Sequence, residues 1–479
     1  MNKRYWWTGL LLAFLVLDTG FTFWQALQFP LDGDLVAIVL PSEWYSKVLQ
    51  DPFGWAVLTE NATYAGAGRF FAHASMGVYW KQMPQLLQAV VSPIESLYVT
   101  SALFTTLAQV LVLLALAAFV RLGSGARAGM LSFLLAAALL APLFQIAGFY
   151  EQMGVANRAI TYTFFYAFPL GLLLVLLWPF FRAAYARQPL HLTPVRTLLL
   201  VLLMVVVAFN GPIAVASIAV LLLGVGLHWL APRVQRAWAA SHNPWLSGQA
   251  MVLLGLLGLL SAYALFVGRN NAENSHSHTL GQLFKLLPKG VYLELTTQWG
   301  LPLLLGVLLL NVLLIWRLVP ASRERQWALV SAWAVAAFSV VFLLLLPFGG
   351  YRDYRPYLVR GDSILPIILA LFYAYGVTTY FLLRQLRGPV RAGYAGIIGV
   401  FLLVFMYQDA VPKLERNNDC EQWALDQIAR SPESQVRISS FCNVLSWGPM
   451  TDPSQSELQA RMLYYWKVTS RPTQYYQPQ

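Results

Sequence analysis

Charge is scarce in this chain. Only 11% of its 479 residues are Asp, Glu, Lys or Arg, against about 25% in an ordinary soluble domain. A soluble fold of that length needs a charged surface, so the shortage excludes one and makes lipid the solvent. The 58% share of hydrophobic residues and the mean hydropathy of +0.58 agree. Cysteine is nearly absent. Two cysteines, Cys420 and Cys442, cannot build a disulfide-rich scaffold, and no Cys/His spacing suits zinc. Acids are outnumbered, 21 against 32 Lys and Arg, for a net charge of +11. In a soluble chain that excess would suggest nucleic acid. Here its position along the chain decides its meaning.

Long apolar runs are what the chain has most of. A spanning helix needs about 20 mostly apolar residues, because the hydrocarbon is about 30 Å thick and a helix rises 1.5 Å per residue. Eleven segments are expected to cross: 5–27, 97–120, 128–148, 160–181, 197–209, 212–230, 249–268, 299–316, 327–347, 363–383 and 392–407. The first is too long and too aromatic for a signal peptide and is expected to be retained. The segment 197–209 is short and ends in Phe209-Asn210-Gly211-Pro212, a turn signal. A hairpin tip stopping inside the bilayer has to be buried in protein or line a cavity. The alternative is a thin or tilted region at the surface.

With the N-terminus placed in the cytoplasm, the inner segments carry fifteen Lys or Arg, from Lys3 and Arg4 to Arg387 and Arg391, and one acid, Glu324. The outer loops are nearly balanced. The basic excess therefore sets topology by the positive-inside rule, and no nucleic-acid partner is expected. The expected fold class is an all-α polytopic membrane protein of about eleven transmembrane helices. Residues 1–407 form the transmembrane domain, 28–96 being its first extracytoplasmic loop. Residues 408–479 form a small extracytoplasmic cap with a helix near Ser456–Val468. Within the first loop, the apolar and aromatic stretches Leu35–Leu49 and Tyr79–Val91 suit helices in the headgroup plane. Both cysteines lie in the cap. In an oxidising space they are expected to pair, closing a loop worth about 3 kcal/mol. The alternative is two buried thiols.

Acids concentrate on the outer side. In Pro30-Leu31-Asp32-Gly33-Asp34-Leu35 two carboxylates flank a glycine just beyond the first helix. They can converge on a cation or an acceptor hydroxyl, one acting as general base. Asp-Gly is also a common solvated turn. The loop Gly349–Asp362 carries Arg352, Arg355 and Arg360 with three tyrosines. Arginine forks suit a lipid phosphate; an interfacial belt with internal pairs to Asp353 and Asp362 is the competing arrangement. Arg69 and Arg158 are secondary candidates for the phosphate. His276 and His278 fit a solvated loop better than a metal pair. Asp18 is an acid inside a span, which is costly and often functional.

This arrangement resembles the GT-C class of integral-membrane glycosyltransferases, bacterial members in particular. The resemblance rests on Asp32-Gly33-Asp34 after the first helix, the interfacial helices that follow, and the stretches Asp51-Pro52-Phe53-Gly54, Gly68-Arg69-Phe70-Phe71 and Ser92–Tyr98. It implies a polyprenyl-phosphate- or diphosphate-linked sugar donor and a glycan, lipid or protein acceptor, met on the outer face of the bacterial inner membrane. It implies a first-loop base, Asp34 before Asp32, and a second acid in the next outer loop, matched by Glu151. A divalent cation, magnesium or manganese, at Asp32 and Asp34 is compatible with the class but not required. The alternatives are a transporter or lipid flippase, an O-antigen-type polymerase or ligase, and a non-catalytic scaffold. No internal repeat is visible, which disfavours the transporter.

Overall fold

A computed structural model describes residues 3–234, 244–275, 277–353, 357–411, 417–439 and 441–477. In chain order its helices are α1 (Lys3–Ala26), α2 (Leu35–Val39), α3 (Glu43–Gln50), α4 (Trp55–Glu60), α5 (Phe70–Leu87), α6 (Pro93–Gly123), α7 (Met130–Leu140), α8 (Tyr150–Met153), α9 (Ile160–Tyr162) and α10 (Phe168–Ala186). There follow α11 (Pro194–Ala208), α12 (Pro212–Val234), α13 (Gly248–Gly268), α14 (Leu280–Thr297), α15 (Gly300–Leu318), α16 (Arg323–Leu345), α17 (Leu365–Gln385), α18 (Gly388–Ala410), α19 (Asp419–Arg430) and α20 (Glu457–Tyr465). A parallel pair of three-residue strands, β1 (Gln435–Arg437) and β2 (Gln474–Tyr476), is the one sheet among the described residues. The chain is an all-α multi-pass membrane protein.

Nine helices among the described residues are long and apolar enough to cross a membrane. Two of the eleven expected segments are shorter. Segment 197–209 is the 15-residue α11, about 22 Å long. Segment 128–148 leaves the α-helix at Leu140 and ends in a 3-10 turn, Ala141–Leu143. Pro142 explains the early stop, since its ring removes a backbone donor and clashes with the preceding turn. The loop beyond needs other acceptors. Asp409 supplies one: its Oδ1 accepts the N–H groups of Ile146 and Ala147 at 2.8 Å and of Gly148 at 3.2 Å.

Helix starts follow local chemistry. Ser92-Pro93-Ile94-Glu95 opens α6 as a reciprocal capping box with proline in the first turn. Thr279 and Gln282 do the same for α14. Inside the bundle α17 is the central helix. Of its apolar window 83% is buried, against 22% for each of α15, α16 and α18. Two of its threonines are hydrogen-bonded within the bundle. Asn311 of α15 donates to Thr378 and Thr379 of α17 at 3.0 and 2.9 Å, and accepts from the Tyr394 hydroxyl of α18 at 2.7 Å.

The first loop folds as four helices, α2 to α5, and roofs the α11–α12 hairpin. The carbonyl of Phe209 accepts from the Phe71 N–H at 3.1 Å. The Phe209 ring packs on Phe53 and Tyr263, and Asn210 is buried. The hairpin tip is therefore enclosed by protein.

The tail then locks onto the first loop. Cys420 and Cys442 are disulfide-bonded, their Cα atoms 5.8 Å apart. Trp466 donates to the carbonyl of Trp80 at 2.9 Å. Glu421 of α19 is fully buried and accepts from the N–H of Leu31 (2.9 Å), the Tyr98 hydroxyl (3.0 Å) and the N–H of Leu445 (3.0 Å). Gly33 meets Trp447 directly: a Cβ there would lie 2.5 Å from the Trp447 backbone nitrogen. Gly33 has no positive φ, so close approach, not turn geometry, requires the glycine. Gly33→Ala should accordingly loosen the tail by about 1 to 3 kcal/mol, the usual cost of overpacking. Hydrogen exchange would show faster opening of residues 443–448, and wild-type protection there would contradict this contact.

Candidate functional site

Asp32 is not a solvated turn residue. It is 4% exposed. Its Oδ1 accepts from the N–H groups of Asp34 and Leu35, both at 3.1 Å, and from the Thr161 hydroxyl at 2.8 Å; its Oδ2 accepts from the Thr161 N–H at 3.0 Å. Four donors occupy about all the acceptor sites a carboxylate has. Burial raises its pKa to about 6, against the lowering effect of the Thr161 bonds. Asp32 thus starts α2 and ties it to α9. Asp34 is half-buried, and its Oδ1 accepts from the Trp447 indole N–H at 3.0 Å. A divalent cation shared by both carboxylates would compete with these donors, three of which hold Oδ1. Among the described residues no cluster of three His, Cys, Asp or Glu side chains suits a metal.

Asp32 lines a cavity of about 480 Å³ together with Glu151, Arg158, Arg360, Asp362 and Trp447. That volume lies within the range of roughly 300–1,000 Å³ usual for small-molecule sites. Three outer loops and the tail therefore converge. A π-turn over Thr163–Ala167, between α9 and α10, aims Tyr162 and Tyr166 into the same cavity. Such π-turns often mark functional positions. The Arg158 guanidinium donates to the carbonyls of Ile146 (3.2 Å) and Ala147 (3.0 Å) and lies 4.2 Å from the Tyr150 ring centroid. Arg360 forms a two-pronged pair with Asp362.

A second cavity, about 140 Å³, shares Tyr166, Arg360 and Asp362 with the first and adds Arg69 and Arg352. Three of the five expected arginines thus face one space. Arg158 faces only the larger cavity, and Arg355 lies outside the described residues, as does His276. His278 packs at a tilt against Tyr351, ring centroids 4.5 Å apart, and lines a neighbouring cavity that Arg69 also reaches.

Glu273, in the loop after α13, organises this cluster and was not anticipated. It pairs with Arg352, lies 3.8 Å from Arg69, and accepts from the Tyr45 hydroxyl at 3.0 Å and from Asn271 at 3.3 Å. Burial alone would raise its pKa, but Arg69 and Arg352 outweigh burial and hold it below the ordinary value. The signal was available, since Glu273 and the arginines are the charged residues of facing loops. Nothing in the sequence says which loops face. His73 is buried beside Arg69, with Nδ1 3.2 Å from the Arg69 carbonyl, and burial lowers its pKa to about 4. Glu294 of α14 has its pKa raised to about 7 by burial and then by Glu151 and Asp362.

Below the arginines lies an apolar groove. The arginine cavity is walled by Pro212, Ile213 and Ala216 of α12 and by Phe342 and Leu345 of α16. A third cavity, about 420 Å³, begins at the next residues: Ser217, Ile218 and Leu221 on α12, and Phe338, Val335 and Ala334 on α16. It continues to Val225 and Trp327. Along α16 the two linings span residues 327–346, roughly 28 Å of helix. Leu221 and Val330 are exposed on the outer surface of the bundle, so the groove opens sideways.

No family model matches this chain, and no curated protein is similar to it in sequence. The assignment of function rests on the site itself.

Electrostatics give the site a pH signature. Burial raises Glu421 to about 7 from an ordinary 4.5 and Asp32 to about 6 from 3.8. Both are acids that bind protons more tightly when folded. Their contribution is complete below the ordinary values and is lost as pH rises through 6 to 7. The melting temperature should therefore fall between about pH 4.5 and pH 7.5, and Glu421→Gln should remove roughly a third of that slope, Asp32 and Glu294 supplying the rest. A melting temperature rising across this range would contradict the burial of both acids.

Proposed function

We propose that this protein is a bacterial inner-membrane glycosyltransferase of the GT-C kind, moving a sugar from a polyprenyl-phosphate or diphosphate donor to an extracytoplasmic acceptor. One observation carries the reading: three arginines at the mouth of an apolar groove, beside a polar cavity that bears carboxylates. A lipid phosphate is the ligand whose chemistry matches all three parts. The chain lies along α12 and α16. The phosphate meets Arg69, Arg352 and Arg360, which line one cavity. The sugar enters the larger cavity lined by Asp32 and Glu151, and Asp34 borders it through its hydrogen bond from Trp447. With α7 and α11 read as short crossings there are eleven, and the basic loops then favour a cytoplasmic N-terminus and an outer tail.

The roles divide by geometry. Asp32 is a positioning residue, because its carboxylate orders the turn and holds Thr161. Asp34 is held by Trp447 and is the general base, withdrawing a proton from the acceptor hydroxyl. Arg69 and Arg352, held apart by Glu273, neutralise the phosphate leaving group through charge-assisted hydrogen bonds. Glu151 lines the larger cavity and is the second acid facing the sugar. Asp34→Asn should reduce transfer from a polyprenyl-phosphate sugar at least 100-fold while leaving the melting temperature intact. Arg352→Gln should raise the KM for the donor about tenfold, worth about 1.4 kcal/mol. Full activity in both Asp34→Asn and Asp32→Asn enzymes would remove the first-loop acids from the site.

A further inference from the structure

The larger cavity has two unlike walls. Its charged groups, Asp32, Glu151, Arg158, Arg360 and Asp362, come from the membrane domain. The opposite wall comes from the tail and is uncharged: Asn417, Asn443, Ser446 and Trp447. The Trp447 indole lies nearly parallel to the Tyr162 ring, 6.0 Å away at 20°.

The tail segment behind that wall is rigidly held. Cys442 is tied to Cys420. The Val444 carbonyl accepts from the Tyr475 hydroxyl at 2.6 Å, the Leu445 N–H donates to Glu421 at 3.0 Å, and the Leu445 carbonyl accepts from Gln459 at 3.3 Å. Leu445 is buried and has φ of 49°, a left-handed conformation costly for a branched side chain. Such strain persists only where the surroundings over-determine it. Its effect is to turn Asn443, Ser446 and Trp447 toward the cavity.

We infer that this tail wall is a saccharide-binding subsite for the acceptor, so that the acceptor nucleophile is a sugar hydroxyl. The inference rests on the glycosyltransferase reading above and adds the acceptor's chemical class. Flat aromatic faces suit the C–H faces of a pyranose. The two amides both donate and accept, as sugar hydroxyls do; Ser446 donates to the Gly448 carbonyl at 2.7 Å and keeps its oxygen as an acceptor. The absence of charge on this wall disfavours a phosphate, a carboxylate or an amine. Trp447 also hydrogen-bonds Asp34, so the residue that would seat the sugar fixes the proposed base beside it. In the transfer step the acceptor oxygen attacks the anomeric carbon, its proton passes to Asp34, and the bond to the lipid phosphate breaks with its electron pair leaving on the phosphate oxygen.

The test uses full-length protein in nanodiscs and the methyl glycosides of glucose, galactose, mannose and N-acetylglucosamine as probes. Saturation-transfer NMR should show at least one of them binding with millimolar affinity. Trp447→Ala should weaken binding at least tenfold, and Trp447→Phe should stay within about threefold of wild type. Hydrogen exchange at Leu445 reports in each variant that the tail remains folded. No binding of any glycoside, equal binding by Trp447→Ala, or preferred binding of a serine-containing peptide overturns the inference. The two readings fail separately. Transfer from the lipid donor without glycoside binding leaves the enzyme and removes the subsite. Glycoside binding at Trp447 without transfer does the reverse.

Discussion

The docking of the tail on the first loop is the contact on which the candidate site depends. The Asp32-Gly33-Asp34 turn is closed locally by the Asp34 and Leu35 N–H groups on Asp32. It is fixed from below by Thr161, from behind by Glu421 through Leu31, and from above by Trp447 against Gly33. Buried carboxylates are costly unless their oxygens are satisfied. Asp32 and Glu421 are satisfied mainly by backbone N–H groups of segments that would otherwise be loose loops. The same bonds that stabilise the acids thus set the loops in place, and the cavity is the space left between them.

The arginine cluster obeys a similar constraint with the opposite sign. Arg69 and Arg352 are largely buried, and buried cations need partners. Glu273 reaches both, and Arg360 and Asp362 pair beside them. An apolar groove between α12 and α16 opens next to this cluster. In the larger cavity the charged groups lie on the membrane-domain side and the tail side is uncharged.

Much of the fold was legible because the bilayer imposes a length and a composition on each span. Nine long apolar helices follow from that alone. The failures have specific causes. Pro142 ended α7 early, and hydropathy averaging does not register one proline. The three-residue strands of the tail are too short to show an alternating pattern. At the site, Asp32, Asp34, Glu151 and the outer arginines were legible because charges are rare there. The division of labour was not. Spacing treats Asp32 and Asp34 as equivalents, whereas the fold saturates one and half-exposes the other. Glu273 and Trp447 were missed because their importance comes from contacts more than 200 residues away in sequence.

The central claim is that the arginine cavity and the α12–α16 groove form one site for a lipid phosphate. Photo-crosslinking with a diazirine-bearing polyprenyl phosphate tests it most directly. The account predicts labels on Ile218, Leu221, Val335 and Phe338, reduced about tenfold by Arg69→Gln with Arg352→Gln. Labelling spread evenly over the exposed faces of α15, α16 and α18, and unaffected by those substitutions, would contradict it.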